Sequence, residues 1–112
     1  MSIKPGTPLE STIVKNILAA LNKIHGCRAL KYHGSQFAQS GHPDVYGCYG
    51  GMPFFIEVKR PGGPGPKPSQ VVELAKWDAV GAATGVARSV HDALEIIYKG
   101  KEAQRGTTAA PD

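Results

Sequence analysis

Helical periodicity dominates the first quarter of the chain. Apolar residues recur there every three or four positions and form a single stripe: Leu9, Ile13, Ile17, Leu21 and Ile24. Thr7 suits the N-cap, Pro8 the first helical position, and Glu10 lies three residues past the cap, as in a capping box. Gly26 is a typical residue just beyond a helix end. The pattern predicts an amphipathic helix that ends before Gly26.

Three stretches then have sequences typical of strands, although alternation in the first is imperfect: residues 27–33, 45–49 and 54–59. Gly50 and Gly51 provide a turn between the second stretch and the third. These features predict three consecutive strands that pair with their neighbours in sequence.

Glycine and proline fill residues 61–68, and we expect a flexible loop there. Pro68 suits the first turn of a second helix, whose apolar residues are Val71, Leu74, Ala75, Trp77 and Val80. Residues 86–88 predict a short fourth strand, and a third helix opens near Val90. Residues 101–112 have no apolar periodicity, so we expect a disordered tail behind a single domain that spans residues 1–100.

The order of elements is therefore helix, three strands, helix, strand, helix. The first three strands follow one another with no helix between them and are interpreted as an antiparallel meander, and the second helix is a crossover that lets the fourth strand join in parallel. We expect an α/β fold with a mixed central sheet. A chain of 112 residues is long enough for one such core and too short for two.

Charge and cysteine usage narrow the function classes only slightly. The net charge of +4 and the pI near 9.2 suit a polyanionic partner, although many proteins that bind no nucleic acid share so mild an excess. Cys27 and Cys48 are not spaced with histidines as zinc ligands are. No apolar run opens the chain or is long enough to cross a bilayer. We expect an intracellular protein with free thiols and no membrane partner.

The candidate chemistry lies on the third predicted strand. Side chains alternate along a strand, so Glu57 and Lys59 share one face while Ile56 and Val58 point to the other face, into the core. A hairpin that pairs this strand with the preceding one brings Asp44 level with Glu57. Two carboxylates and an ammonium in one place are what a divalent metal ion and a phosphodiester require. Alone, each motif is usually a solvated strand face or a turn.

Two short motifs resemble a known superfamily. The order G-H-P-D followed by I-E-V-K, at residues 41–44 and 56–59, resembles the PD-(D/E)xK nucleases. Further residues resemble one branch, the virus-type replication-repair nuclease (VRR-NUC) domain in its small stand-alone phage form: Gln70, Leu74, Trp77 and Gly81. The similarity extends over residues 10–90 and implies a restriction-endonuclease-like core with the element order α-β-β-β-α-β-α.

The resemblance also implies roles for individual residues. Asp44 and Glu57 would bind Mg²⁺ or Mn²⁺, Val58 would offer its backbone carbonyl to the metal, and Lys59 would be catalytic. Gln70 would lie beside Lys59 in the active site. From the residues alone, Gln70 is equally a plain first-turn residue of the second helix.

The roles of Glu10 and Gln70 depend on how the first and second helices begin. Glu10 either bonds back to the amide of Thr7 or, as in proteins that this chain resembles, adds a third carboxylate to the metal site, and we assign it to the metal. Lys67 stands where related domains have Ser or Thr, so the side chain that would cap the second helix is missing. We therefore expect Gln70 to be positioned less firmly by the start of the helix, although Ser69 is close enough in sequence to replace part of the missing cap.

Residues that flank this site are candidates for DNA contacts: Lys31, His33, Ser35, Gln36, Arg60 and Lys67. Lys31 and His33 share a strand face with Ala29 that could look toward the cleft. The polar loop that contains Ser35 and Gln36 leads into Pro43-Asp44 and either contacts the DNA backbone or is a plain connection.

The function implied is metal-dependent hydrolysis of DNA, with branched DNA such as a Holliday junction as the substrate. A homodimer would place two sites across the junction, in the cytoplasm of a bacterial host if the source is viral. Three alternatives stay open: a monomeric nuclease on flaps or ends, a non-catalytic DNA-binding module of the same fold, and a basic protein that binds nucleic acid through charge alone.

Overall fold

A computed structural model describes residues 3–34 and 40–107 of the chain. Its elements follow in the predicted order: α1 (Glu10–Leu21), β1 (Cys27–Lys31), β2 (Val45–Tyr49), β3 (Met52–Val58), α2 (Pro68–Ala79), β4 (Ala83–Ala87) and α3 (Val90–Thr107). The predicted α/β class is confirmed.

The four strands form one mixed sheet in the order β1-β2-β3-β4. The β1–β2 and β2–β3 pairs are antiparallel, and the turn at Gly50 and Gly51 joins the second of these pairs. The β3–β4 pair is parallel. A tight turn cannot join two neighbouring parallel strands. Helix α2 therefore provides the crossover from β3 to β4, as the sequence pattern predicted.

The two faces of the sheet pack against different helices. On one face Phe54, Ile56 and Val58 are fully buried against apolar residues of α1 and α3: Ile13, Val14, Ile17, Leu21, Ala93 and Ile97. This face holds most of the buried apolar residues. Burying each Ile or Val side chain stabilises a fold by about 1.5–3 kcal/mol. On the other face Phe55 packs against Leu74 and Trp77 of α2. Glu57 lies on this second face, since it is two residues from Phe55.

The predicted start of the first helix is wrong. Helix α1 begins at Glu10 with Leu9 as its N-cap and has no side-chain cap. Thr7 and Pro8 lie before the helix, where their carbonyl oxygens accept hydrogen bonds from the Arg60 guanidinium. That long-range contact holds the backbone at these two residues outside the helix.

Strand β4 begins three residues earlier than the sequence pattern predicted. Its first half consists of Ala83, Thr84 and Gly85, which are too small to produce an apolar alternation. Small residues are required because α3 lies close to the strand. A Cβ on Gly85 would come within 2.6 Å of Ile96 Cδ1.

Two segments that we expected to be flexible are held by long side chains. Helix α3 continues through Thr107, so the predicted disorder is wrong for residues 101–107, where Lys101 Nζ donates to the Gly50 carbonyl at 2.6 Å. Residues 108–112 lie outside the described residues. The loop at residues 61–67 is tied down by Arg88, whose guanidinium donates to the carbonyls of Arg60, Gly63 and Pro64.

Cys27 and Cys48 are both free thiols. Across residues 3–34 and 40–107, no helix combines the length and apolarity that crossing a bilayer requires.

Candidate active site

Antiparallel pairing of β2 with β3 places the two predicted acidic residues together. Val45 pairs with Ile56, so Asp44, one residue before β2, stands opposite Glu57. Asp44 Oδ2 accepts a hydrogen bond of 2.8 Å from the Val58 amide, which fixes the carboxylate at the end of the strand. The backbone of Asp44 is held from the other side, where its carbonyl accepts from the Tyr32 amide.

Glu57 is a buried carboxyl beside another carboxylate. It is 1% exposed, and its pKa is raised to about 8, first by burial and then by the negative charge of Asp44. The Lys59 ammonium acts in the opposite direction and lowers the pKa. Glu57 Oε1 is buried and has no hydrogen-bond partner. Protein interiors avoid a carboxyl buried beside another carboxylate, and they avoid a buried oxygen without a hydrogen-bond partner, unless a ligand binds there.

Lys59 completes the predicted trio. Its Nζ lies 3.6 Å from Glu57 Oε2, and its side chain is 11% exposed. The structure therefore brings Asp44, Glu57 and Lys59 into one cluster at the end of β3, with the ammonium at the more accessible side.

Gln70 joins the same cluster from α2. Its Nε2 donates to Glu57 Oε2 at 2.9 Å, and its Oε1 accepts from the Lys67 amide at 2.7 Å. The missing capping side chain at Lys67 does not loosen this arrangement, because a backbone N–H holds the Gln70 amide. Gln70 in turn restrains Glu57.

The loop before Asp44 approaches α2 too closely for any side chain at Gly41. Gly41 has φ +83, and a Cβ there would lie 2.5 Å from the Ser69 carbonyl oxygen. His42 stacks on Tyr32 with ring centroids 3.6 Å apart, and its Nδ1 lies 2.8 Å from the Pro43 carbonyl oxygen. Neither Tyr32 nor His42 was assigned a role from the sequence. The pairing of Tyr32 with Asp44, which depends on β-strand register, was the missing information.

Solved structures with the same arrangement of elements carry one description. A structure described as a VRR_NUC domain superposes with a TM-score of 0.65 and is 26% identical, and the match covers 80% of this chain and 94% of that one. A second, described as a VRR_NUC domain protein, has a TM-score of 0.68 at 15% identity and covers 86% of this chain and 90% of that one. A scan against protein-family models and a search of curated proteins gave no match.

The chain has the fold of the VRR-NUC domain. The resemblance drawn from the two short motifs is confirmed, and so is the fold that it implied. The fold groups the chain with nucleases of the PD-(D/E)xK type.

Glu10 stands apart from the pair formed by Asp44 and Glu57. It is exposed at the start of α1. Among residues 3–34 and 40–107, no three His, Cys, Asp or Glu side chains are grouped so that they could hold a metal ion. Asp44 and Glu57 therefore form a two-carboxylate site, and the structure does not bring the third predicted carboxylate to it.

One predicted DNA contact lies on the other side of the sheet from the carboxylate pair. Lys31 pairs with Val45, whose own partner is Ile56, so Lys31 belongs to the sheet face opposite Glu57. The expectation that Lys31 looks toward the cleft is wrong because its face, shared with the buried Ala29, is the one covered by α1 and α3. Arg28 is the polar residue of β1 that lies on the same face as Glu57.

The remaining predicted contacts are less uniform. His33 and Lys67 are exposed, while the Arg60 guanidinium donates to two backbone carbonyls in the segment before α1 and so has a structural role. Ser35 and Gln36 lie outside the described residues. Arg88 was not predicted, since its contacts with the loop at residues 61–67 span more than twenty positions.

The residues present fit a divalent metal ion. Glu57 Oε2 is occupied by the Gln70 amide, which leaves the unpartnered Oε1 as the oxygen that faces no protein donor. Asp44 and Glu57 repel each other when both are ionised, and a cation between them would remove that repulsion. Hard oxygen donors from one or two carboxylates are the usual protein ligands of Mg²⁺ and Mn²⁺.

Proposed function

We propose that this VRR-NUC domain hydrolyses phosphodiester bonds of DNA with a divalent metal ion, Mg²⁺ or Mn²⁺, held by Asp44 and Glu57. One observation carries the proposal. Glu57 is buried beside Asp44 with one oxygen unpartnered, and its pKa is raised to about 8. A buried carboxyl beside a second carboxylate is a costly arrangement in a protein that binds no cation, and a suitable one in a protein that does.

Each residue of the cluster has a distinct role in the proposed reaction. Asp44 and Glu57 hold the ion, and the similarity to PD-(D/E)xK nucleases adds the backbone carbonyl of Val58 as a ligand. When bound, the ion supplies charge neutralisation and activates water. Lys59 stabilises the negative charge that develops on the phosphate oxygens, or orients the attacking water. Gln70 keeps the Glu57 carboxylate in one orientation through its bond to Oε2.

The substrate and the assembly are the finer part of the proposal. We take branched DNA as the substrate and a homodimer as the active form, on the similarity to small VRR-NUC proteins. A twofold axis would place two equivalent sites for paired cuts. A monomer that acts on flaps or ends is the alternative, and so is a module that binds DNA without cutting it.

Cleavage of a labelled four-way junction tests the reaction. We expect cleavage with Mg²⁺ or Mn²⁺ and none with EDTA. The substitutions Asp44→Asn and Lys59→Ala should reduce the rate at least a hundredfold, because each removes one element of the proposed site. The matched control is Lys15→Ala, which removes one exposed charge on α1, behind the opposite face of the sheet.

The outcomes separate the alternatives. DNA binding with no cleavage by the unsubstituted protein identifies the non-catalytic module. Full activity in the Asp44→Asn variant contradicts the proposed metal site. Sedimentation of the active species as a monomer, with cuts at flaps or ends and no paired cuts at the junction, favours the flap or end nuclease.

A further inference from the structure

Half of the sheet face that carries Glu57 has no helix over it. Helix α2 packs against β3 and β4. On β1 and β2 the same face is open in the part of the chain that the structure describes. Leu30 is 42% exposed there, and Arg28 and Cys48 are exposed as well. A shallow hollow of about 270 Å³ lies over this area, and its walls include Arg28, Leu30 and Tyr46.

This open face is continuous with the candidate active site. Leu30 pairs with Tyr46, which pairs with Phe55, so this row of side chains lies two residues along the strands from Asp44 and Glu57. Arg28 and its partner Cys48 form the next row. At roughly 3.3 Å per residue, Arg28 lies about 13 Å along the sheet from the row of the carboxylates.

The chemistry of the open face suits a nucleic-acid strand. Arg28 presents a guanidinium, which bonds phosphate oxygens in a bidentate manner. Tyr46 presents an aromatic ring, on which a nucleobase can stack irrespective of its identity. Among the described residues of this face, Leu30 is the large apolar side chain that is exposed, which is little apolar surface beside the roughly 800 Å² that a stable protein–protein interface buries on each partner.

We propose that this open face binds the DNA strand that flanks the scissile phosphate. One base lies in the hollow beside Tyr46, and Arg28 binds a phosphate about 13 Å from the carboxylate pair. The inference rests on the proposed function, because it takes Asp44 and Glu57 as the position of the reacting phosphate. It assigns the contacts to Arg28 of β1 and Tyr46 of β2 in place of Lys31 and His33.

Three substitutions that each lower the net charge by one provide the test. Arg28→Ala and Leu30→Glu change the open face, whereas Lys15→Ala changes α1 behind the opposite face. All three are exposed positions, so folding should persist. Each is made in a Lys59→Ala background, and the affinity for a fluorescent four-way junction is measured by anisotropy in Mg²⁺ over a series of salt concentrations.

We expect Arg28→Ala to weaken binding about fivefold or more, and Leu30→Glu at least as much. Loss of one phosphate contact should also reduce the slope of log K against log salt by about 0.7–0.9. Lys15→Ala should change affinity less than twofold, because charges farther away than about 8–10 Å are largely screened at physiological ionic strength. Equal effects of Arg28→Ala and Lys15→Ala would overturn the inference.

Cys48 offers a second and independent measurement, since its exposed thiol lies in the hollow. DNA that carries an activated disulfide on a base near the cut site should form a mixed disulfide with Cys48, and release the small thiol, at one base position only. Cys48→Ser should abolish the product. Crosslinking at every base position alike would contradict a defined path.

Two outcomes distinguish this inference from the proposed function. If the unsubstituted protein cuts DNA while Arg28→Ala binds as well as Lys15→Ala, the reaction stands and the binding face is wrong. If Arg28→Ala selectively loses affinity but the unsubstituted protein does not cut DNA, the binding face is supported and the hydrolytic function fails. A change in oligomeric state caused by Arg28→Ala or Leu30→Glu would identify a protein interface and overturn the inference.

Discussion

Glu57 makes the stability of the metal-free domain depend on pH. Its pKa is raised from 4.5 to about 8 in the folded protein, so between these values the folded state holds a proton that the unfolded state has lost. Stability must then fall as pH rises through this range. For one such group the loss between pH 5.5 and pH 7.5 is about 2–3 kcal/mol. Glu57 is 1% exposed, so solvent screens the effect only weakly.

Glu57→Gln isolates this contribution, because the amide has the shape of the protonated acid and does not titrate. We expect chemical denaturation in EDTA to give a free energy of unfolding that falls more steeply with pH for the unsubstituted protein than for this variant. Subtracting the pH curve of Glu57→Gln from that of the unsubstituted protein removes the contribution of all other titrating groups. Glu102→Gln is the matched control, because Glu102 is exposed on α3.

Mn²⁺ should reverse the trend. A cation between Asp44 and Glu57 favours the ionised carboxylates, so its stabilising effect should grow between pH 5.5 and pH 7.5 and should be smaller in the Glu57→Gln variant. Parallel pH curves for the unsubstituted protein and Glu57→Gln in EDTA would refute the reasoning, because they would show that Glu57 ionises in the folded state as it does in the unfolded chain.

Three further substitutions test the surroundings of the site. Gly41→Ala should destabilise the fold by about 2 kcal/mol more than Gly6→Ala in urea denaturation, because both have positive φ but only Gly41 meets the backbone of α2; equal effects would contradict the close approach. Arg88→Ala should cost about 2 kcal/mol and speed proteolysis of the loop at residues 61–67, and unchanged proteolysis would count against the tie. Gln70→Ala should weaken Mn²⁺ binding about tenfold in calorimetric titration, and unchanged affinity would exclude its hold on Glu57.

The acidic pair and the lysine could be predicted from the sequence because each step of the argument is local. Alternation along residues 54–59 separates Glu57 and Lys59 from Ile56 and Val58, and the short turn at Gly50-Gly51 leaves little freedom in how β2 meets β3. Asp44 then has to lie level with Glu57. The order of elements followed from periodicity in the same way.

Predictions failed where a residue's role depends on segments far away in sequence. Thr7 could not be read as lying outside α1, since the reason is a hydrogen bond from Arg60, more than fifty residues later. Lys31 was assigned to the wrong face because its strand had imperfect alternation, and only pairing with Val45 identifies which face is buried. Residues 101–107 have a polar sequence and showed no helical pattern of their own. They are helical because they continue α3, whose earlier residues pack against the sheet.

What the sequence determined by itself is the set of helices and strands, and the carboxylates and ammonium at the end of β3, because backbone geometry forces the period of side chains within each element. Tertiary structure alone decided that Gln70 restrains Glu57, that Glu10 stays away from the pair, and that the face of β1 with Arg28 is open beside the site. These facts depend on strand register and on where α2 packs, and distant parts of the chain have to fold together before either is defined.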